Sequence, residues 1–124
     1  MPHHTKALRA IFIMTFTTCA LAAGDAARGK ARYANLCAAC HNIDYNGVGP
    51  AHRNVFGGKA ASRTGYIYSP ALTASNIVWD EKTLGQWLTN PEKFLPGQKM
   101  GVSVASAKDR SDLIAYLKTL TTED

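Results

Sequence analysis

Two segments of the chain show apolar residues at the spacing of an amphipathic helix. Residues 80–89 are predicted to form a helix whose buried face carries Leu84, Trp87 and Leu88. Residues 108–120 are predicted to form a second helix with a buried stripe of Leu113, Tyr116, Leu117 and Leu120. Sequence signals for helix starts and stops also lie at the ends of these two segments. Asp80 is a candidate N-cap, Asn90-Pro91 should end the first helix, and Ser106 and Asp109 have capping-box spacing before the second.

An alanine-rich segment, residues 25–36, predicts a further helix that precedes both of these. Gly29 lies in its interior, where glycine costs about 0.5–1 kcal/mol relative to alanine. Tyr33 follows four residues later and therefore lies on the same face. A glycine at this cost suggests that the helix crosses another element closely at this point.

The segment between the first helix and the others has no regular period. Residues 42–65 contain five glycines and Pro50, and no alternation long enough to form a strand. We therefore interpret this segment as an ordered loop. Ser69-Pro70 opens a short helical segment that ends near Ser75.

The N-terminus has the pattern of a cleaved export signal. Lys6 and Arg9 precede an apolar run over residues 10–20, and Ala20-Leu21-Ala22 is an A-x-A cleavage site. The run is shorter than the about 20 residues that a membrane-spanning helix needs. We expect residues 1–22 to be a signal peptide and residues 23–124 to be one exported, periplasmic domain without a transmembrane segment.

The net charge and the length of the predicted domain limit the classes of protein to which the chain could belong. Removing Lys6 and Arg9 from the 14 basic residues leaves 12 against 9 acidic ones, and these form no dense basic tract. This mild excess argues against a nucleic-acid partner. A domain of about 100 residues buries only about two-thirds of its unfolded surface. A buried cofactor would enlarge such a small core.

The sequence Cys37-Ala38-Ala39-Cys40-His41 has the C-x-x-C-H pattern of covalent attachment of a c-type haem. Two alternatives fit less well. A redox-active dithiol would be expected in a βαβ unit, and a zinc site would need two more ligands, whereas His52 is the only other Cys or His downstream. The third cysteine, Cys19, lies in the predicted signal peptide. Both remaining thiols would be used by the haem, so no disulfide is expected.

His41 is the expected fifth ligand of the iron, and its other ring nitrogen should donate to a carbonyl, for which Pro50 is the candidate. Met100 is the expected sixth ligand. It ends a loop with two prolines and flanking lysines, which gives it little reason to serve as core filling. His52 is interpreted as an ordinary polar loop residue, with ligation of the iron as the alternative.

Taken together, these motifs resemble the class I cytochromes c, especially the soluble bacterial forms that are similar to mitochondrial cytochrome c. The resemblance covers nearly all of residues 24–121. The residues that carry it, in chain order, are Gly29, Tyr33, Cys37-Ala38-Ala39-Cys40-His41, Gly49-Pro50, Tyr68, Trp79, Asn90-Pro91, Pro96-Gly97-Gln98-Lys99-Met100 and Leu113-Ile114-Ala115-Tyr116-Leu117-Lys118.

The resemblance implies an all-α fold whose crossed first and last helices enclose one covalent haem c per chain. It also implies that the Pro50 carbonyl accepts the His41 proton. The haem propionates would be bound by Tyr68, Ser69 and Trp79.

Three residues depart from the family pattern. Gly58 stands where many members place an arginine near a propionate, a role left to Lys59 or Arg63. Leu72 replaces a frequent polar residue behind the haem. Trp87 stands where an aromatic hydroxyl often bonds the methionine sulfur, and indole offers only an N–H donor.

The expected function is that of a soluble, monomeric one-electron carrier rather than an enzyme. Its redox partners should present acidic docking surfaces to Lys59, Lys93 and Lys99, which the resemblance places around the haem edge. One alternative is a haem c subunit docked to a periplasmic dehydrogenase or oxidase. The other is a ligand sensor or peroxidase in which Met100 is labile.

Overall fold

The computed structural model describes Met1 and residues 23–122, and its regular structure there is helical. The helices in chain order are α1 (Ala26–Leu36), α2 (Pro70–Ala74), α3 (Glu81–Thr89), α4 (Pro91–Phe94) and α5 (Ala107–Thr119). The β pairing within these residues is an isolated bridge between Lys59 and Val78. No helix in the described part is long and apolar enough to cross a membrane. Apart from Met1, the predicted signal peptide lies outside the described residues.

Local capping explains where the longer helices begin. The Asp25 carboxylate accepts a hydrogen bond from the Arg28 N–H at the start of α1. Asp80 forms a capping box with Thr83 before α3, and the Ser106 hydroxyl accepts from the Asp109 N–H before α5. Each cap satisfies an otherwise unpaired helix-end donor. Asp80 is confirmed as the N-cap of α3. Helix α5, predicted from residue 108, begins one residue earlier at Ala107.

Helix α4 was not predicted, because Pro91 was interpreted only as a stop signal. Asn90 ends α3 and also begins α4, since its side chain accepts from the Lys93 N–H at 2.9 Å. Proline lacks the N–H that a first helical residue would leave unpaired, so Pro91 starts a helix as readily as it ends one. The short turn of helix redirects the chain toward Met100.

Helices α1 and α5 cross at Gly29, as the sequence suggested. A Cβ atom at Gly29 would lie 1.9 Å from the Asp112 carbonyl oxygen and 2.8 Å from the Tyr116 Cβ. The Tyr33 and Tyr116 rings meet edge to face at 5.3 Å beside this contact. The missing side chain therefore permits the close approach of the two backbones.

Asp112 of α5 ties the two helices together. Its side chain is 2% exposed and accepts from the Asp25 N–H at 2.7 Å, the Arg28 Nε at 2.9 Å and the Lys108 Nζ at 2.8 Å. Hydrogen bonds from Arg28, Lys108 and the Asp25 backbone hold the pKa of the Asp112 carboxyl well below its usual range. Protein donors thus satisfy this buried charge.

The loop over residues 42–65 is anchored to the segment before α3. The Gly57 N–H donates to the Trp79 carbonyl at 2.6 Å, and the Trp79 N–H donates to the Gly58 carbonyl at 2.9 Å. The Ala60 N–H adds a bond to the Ile77 carbonyl at 2.8 Å. These bonds hold the Trp79 side chain, which is 7% exposed, at the wall of a cavity.

Candidate haem site

A single cavity of about 250 Å³ brings together every residue that the sequence predicted for the cofactor site. The elements around it are the end of α1, the loop over residues 42–65, α2, α3, α5 and the segment after α4. The predicted residues on its wall are Cys37, Cys40, His41, Pro50, Tyr68, Ser69, Trp79 and Met100. The residues that surround them are predominantly apolar, including Leu72, Leu84, Leu88, Val104, Leu113 and Leu117.

The two thiols reach the cavity from the turn that ends α1. The Cys40 and His41 N–H groups both donate to the Cys37 carbonyl, at 3.1 and 2.9 Å. This tight turn places Cys37, Cys40 and His41 on the same wall. Before haem attachment, burial raises the pKa of the Cys37 thiol to about 11.

The His41 imidazole has a defined tautomer. Its Nδ1 atom lies 2.8 Å from the Pro50 carbonyl oxygen, which can only accept, so Nδ1 carries the proton. Burial lowers the pKa of His41, and the bond to Pro50 opposes this shift only in part. The neutral ring thus keeps an unprotonated Nε2, which is the form that binds a metal ion.

His52 lies beside His41, an arrangement that the sequence did not reveal. The two rings stack with centroids 3.9 Å apart and planes 20° apart. The His52 Nδ1 lies 3.0 Å from the Tyr33 Oη. Burial, with smaller contributions from the neighbouring His41 and Arg63, lowers the pKa of His52 to about 3, so its ring is neutral. Its nearness to Pro50 in the chain was the only sequence signal for this position.

Three residues that carry hydrogen-bond donors, Tyr68, Ser69 and Trp79, also line the cavity. The Ser69 Oγ accepts from the Leu72 N–H and the Tyr68 Oη accepts from the Arg63 N–H, both at 3.1 Å. Each contact uses an oxygen lone pair and leaves the hydroxyl proton to donate elsewhere. Trp79, whose indole N–H can only donate, lines the same cavity. These groups suit an acceptor-only ligand such as a carboxylate.

Gly58 itself carries no charge, but basic residues near it in the chain line the cavity. A Cβ at Gly58 would lie 2.8 Å from the Asn54 carbonyl oxygen, so a larger residue would force the backbone to move. Lys59 and Arg63 both line the cavity. The Arg63 guanidinium also donates to the Arg53 carbonyl, which holds its side chain against the cavity.

Met100 reaches the cavity from a constrained loop. The Glu92 carboxylate accepts from the Gly97 N–H at 3.0 Å and from the Gln98 side chain at 3.1 Å, and Gly97 has a φ of +88°. Met100 itself is partly buried and packs against the core. Trp87, which contacts the Trp79 ring edge to face at 5.2 Å, lines the cavity as well.

The wall fits a flat apolar macrocycle that bears two carboxylates and a metal ion. It offers two thiols, an unprotonated imidazole nitrogen, a thioether and a group of donors within an apolar surface. An all-α domain with this wall and a C-x-x-C-H motif defines the class of proteins that carry haem c covalently.

Comparisons with known proteins specify the family within this class. The family model for cytochrome c matches residues 26–121. Cytochrome c of Gibberella zeae is 41% identical over 105 residues, covering 82% of this chain and 99% of the relative. Cytochrome c2 of Rhodomicrobium vannielii is 41% identical over 110 residues, covering 86% and 87%. The solved structure of cytochrome cH from Methylobacterium extorquens superimposes with a TM-score of 0.74 at 47% identity, covering 77% of this chain and 99% of its own.

The chain belongs to the cytochrome c family, and it is a class I cytochrome c with the all-α fold that the sequence predicted. It binds covalently attached haem c through the C-x-x-C-H motif at Cys37 and Cys40. Its family consists of haem-based electron carriers that act with redox partners. The roles predicted for the individual wall residues remain predictions.

Proposed function

We propose that the chain is a soluble, monomeric, periplasmic carrier of one electron whose haem iron is ligated by His41 and Met100. One observation carries this proposal: a neutral imidazole fixed by Pro50 and the thioether of Met100 line the same cavity as the two thiols. Both proposed ligands are uncharged and held by their surroundings. Such a site changes oxidation state with little rearrangement.

Haem c supplies an iron that gains and loses one electron. In our proposal the surrounding residues of the chain orient the ligands of that iron and set its reduction potential. The His41 Nδ1–H bond to the Pro50 carbonyl orients the imidazole and increases its basicity. Thioether ligation by Met100 raises the reduction potential. The surrounding apolar wall keeps water from the iron, which favours the less charged ferrous state.

The propionates would meet the donors of Tyr68, Ser69 and Trp79, with Arg63 as the compensating charge. The Arg63 backbone N–H donates to the Tyr68 Oη at 3.1 Å, which supports a position of Arg63 near this group of donors. Replacing it by a neutral residue should stabilise the ferric state. Arg63→Met is expected to lower the reduction potential more than Lys59→Met, and equal effects of the two would remove Arg63 from this role.

Export and docking complete the proposal. The pattern over residues 1–22 supports export to the periplasm. Exposed Lys59 and Lys99 line the cavity, and Lys93 precedes the Met100 loop. Ammonium groups at this edge would steer the protein toward an acidic redox partner.

A second candidate function, a haem c subunit docked to a periplasmic dehydrogenase or oxidase, is favoured by one observation. Val48 and Val102 line the cavity yet are 77% and 40% exposed. Ile67, 85% exposed, lies within reach of this edge because its carbonyl accepts from the Lys99 Nζ at 3.4 Å. Stable interfaces are apolar at their centre. A docked subunit would therefore transfer electrons at a rate that is insensitive to salt.

Spectroelectrochemistry and carbon monoxide binding test the proposal together. The purified holoprotein should titrate as a single one-electron couple. Its ferrous form should leave carbon monoxide unbound, because Met100 occupies the sixth position. Rapid carbon monoxide binding by the wild-type ferrous protein would contradict the carrier and support a ligand sensor or peroxidase.

A further inference from the structure

The two faces of the His41 ring are covered by different parts of the chain. A Cβ at Gly49 would lie 2.3 Å from Cε1 of His41, 2.6 Å from Nδ1 and 2.7 Å from Nε2. Near-equal distances to these three bonded atoms place that Cβ over a ring face rather than beside the ring edge. The His52 ring lies flat at 3.9 Å and occupies the same kind of position. Since the two groups cannot share one face, the imidazole lies between them.

His52 is itself fixed by the crossing of the terminal helices. Its Nδ1 is 3.0 Å from the Tyr33 Oη, and its ring meets the Tyr33 ring edge to face at 5.6 Å. Tyr33 of α1 in turn packs edge to face against Tyr116 of α5. A continuous set of contacts therefore leads from the helix crossing through His52 to His41.

We propose that His52 is a positioning residue that fixes the plane of the His41 imidazole. The single hydrogen bond to Pro50 holds Nδ1 but leaves the ring free to pivot about that contact. A flat partner on one face and the Gly49 backbone on the other remove this freedom. This inference rests on the proposed ligation of the iron by His41.

The same geometry argues against His52 as the sixth ligand. A ring stacked on His41 at 3.9 Å lies on the His41 side of the site. A replacement for Met100 would have to bind the opposite face of the haem. The role of His52 is thus exerted through the ring of His41.

Proton NMR of the ferric holoprotein measures the proposed effect directly. The orientations of the imidazole plane and of the thioether together select which iron d orbital would carry the unpaired spin, and the His52 variants alter only the support of the imidazole. The order and spread of the haem-methyl resonances report that choice. His52→Leu removes the flat ring and should change this pattern, whereas His52→Phe retains a flat ring and should preserve most of it. Tyr33→Phe removes the hydroxyl that holds His52 and should give a smaller change.

Leu120→Ala is the matched control, because Leu120 is a core residue, 9% exposed, that does not line the cavity. It should lower the unfolding midpoint and leave the haem-methyl pattern unchanged. A wild-type pattern in His52→Leu would overturn the proposal, as would an equal change in Leu120→Ala. If His52→Leu yields no holoprotein, Tyr33→Phe decides: a changed pattern supports the proposal and an unchanged one refutes it.

The spectrum of the ferric wild-type protein tests the proposed ligation independently of the role of His52. A ferric wild-type protein without the low-spin spectrum of an iron bound by histidine and methionine would refute the ligation itself. With that spectrum present, the variants test only the positioning by His52.

Discussion

The crossing of α1 and α5 and the cavity beside it are built in opposite ways. At the crossing, protein atoms meet protein atoms, with the Gly29 backbone against Asp112 and the Asp112 carboxylate satisfied by donors from three residues. At the cavity, predominantly apolar side chains and Trp79 line a space of about 250 Å³. The crossing is complete within the polypeptide, whereas the cavity wall is complementary to haem.

This difference separates two kinds of mutational effect. Changes at the crossing should alter the free energy of unfolding and leave the haem spectrum largely unchanged. Changes at the cavity should alter the spectrum, the potential or the electron-transfer rate at smaller cost to stability. The Tyr33–His52 contact connects the two regions.

The largest effect on stability is expected at Gly29. Gly29→Ala places a methyl group 1.9 Å from the Asp112 carbonyl oxygen. The backbones of α1 and α5 must move apart to accommodate this methyl group. Overpacking of this kind costs about 3 kcal/mol, the upper end of the usual range. Chemical denaturation of the holoprotein, followed by circular dichroism, measures this loss.

Gly85 in α3 provides the matched control, since a Cβ there would meet no atom within 4 Å. Gly85→Ala should stabilise the protein by about 0.5–1 kcal/mol, because alanine is the better helix former. Equal effects of the two substitutions would mean that the terminal helices do not touch at Gly29.

The second effect concerns the pH dependence of the stability that Asp112 contributes at the helix crossing. The pKa of Asp112 is lower in the folded than in the unfolded chain. Its stabilisation is therefore complete above the unfolded value of about 3.9 and is lost progressively as the pH falls from that value toward the lower pKa of the folded chain. Asp112→Asn should lower the unfolding midpoint at neutral pH and flatten its decline below about pH 5.

Asp44 gives the comparison for this experiment, because its pKa is also lowered by an arginine but the pair is exposed. Solvent screening makes such pairs weak. Asp44→Asn should leave both the midpoint and its acid dependence nearly unchanged. A loss in Asp44→Asn as large as in Asp112→Asn would show that burial at the crossing is not what matters.

The smallest effect on the folded protein is expected from Lys99→Glu at the cavity edge. Reversing this charge should leave the visible spectrum intact and slow electron transfer to an acidic partner roughly tenfold at low salt. The difference should shrink at physiological ionic strength, where attraction is screened beyond about 8 Å. Stopped-flow rates across a salt series measure it. Rates that stay flat with salt would favour the docked-subunit candidate.

The predictable part of the fold is the part that short-range patterns determine. Apolar spacing and cap residues located α3 and α5, and alanine propensity located α1, because these signals act within a few residues. Gly29 indicated the crossing through its cost in a helix. Helix α4 was missed because one proline carries a stop signal and a start signal at once.

Predicting the site residues depended on a different kind of information. The C-x-x-C-H motif predicted haem attachment from its own chemistry, while Tyr68, Ser69 and Trp79 entered through the family resemblance. The contact of His52 with His41 depends on the path of the irregular loop over residues 42–65. No periodicity in that loop indicates where its side chains point, so this contact required the structure.

Ligation of the iron by His41 and Met100 is the central claim, and the near-infrared spectrum of the ferric protein tests it most directly. The wild-type protein should show the weak sulfur-to-iron charge-transfer band, and Met100→Ala should lose it together with a fall in reduction potential. An unchanged band and potential in Met100→Ala would contradict the account, because the sulfur of Met100 could then not be bound to the iron.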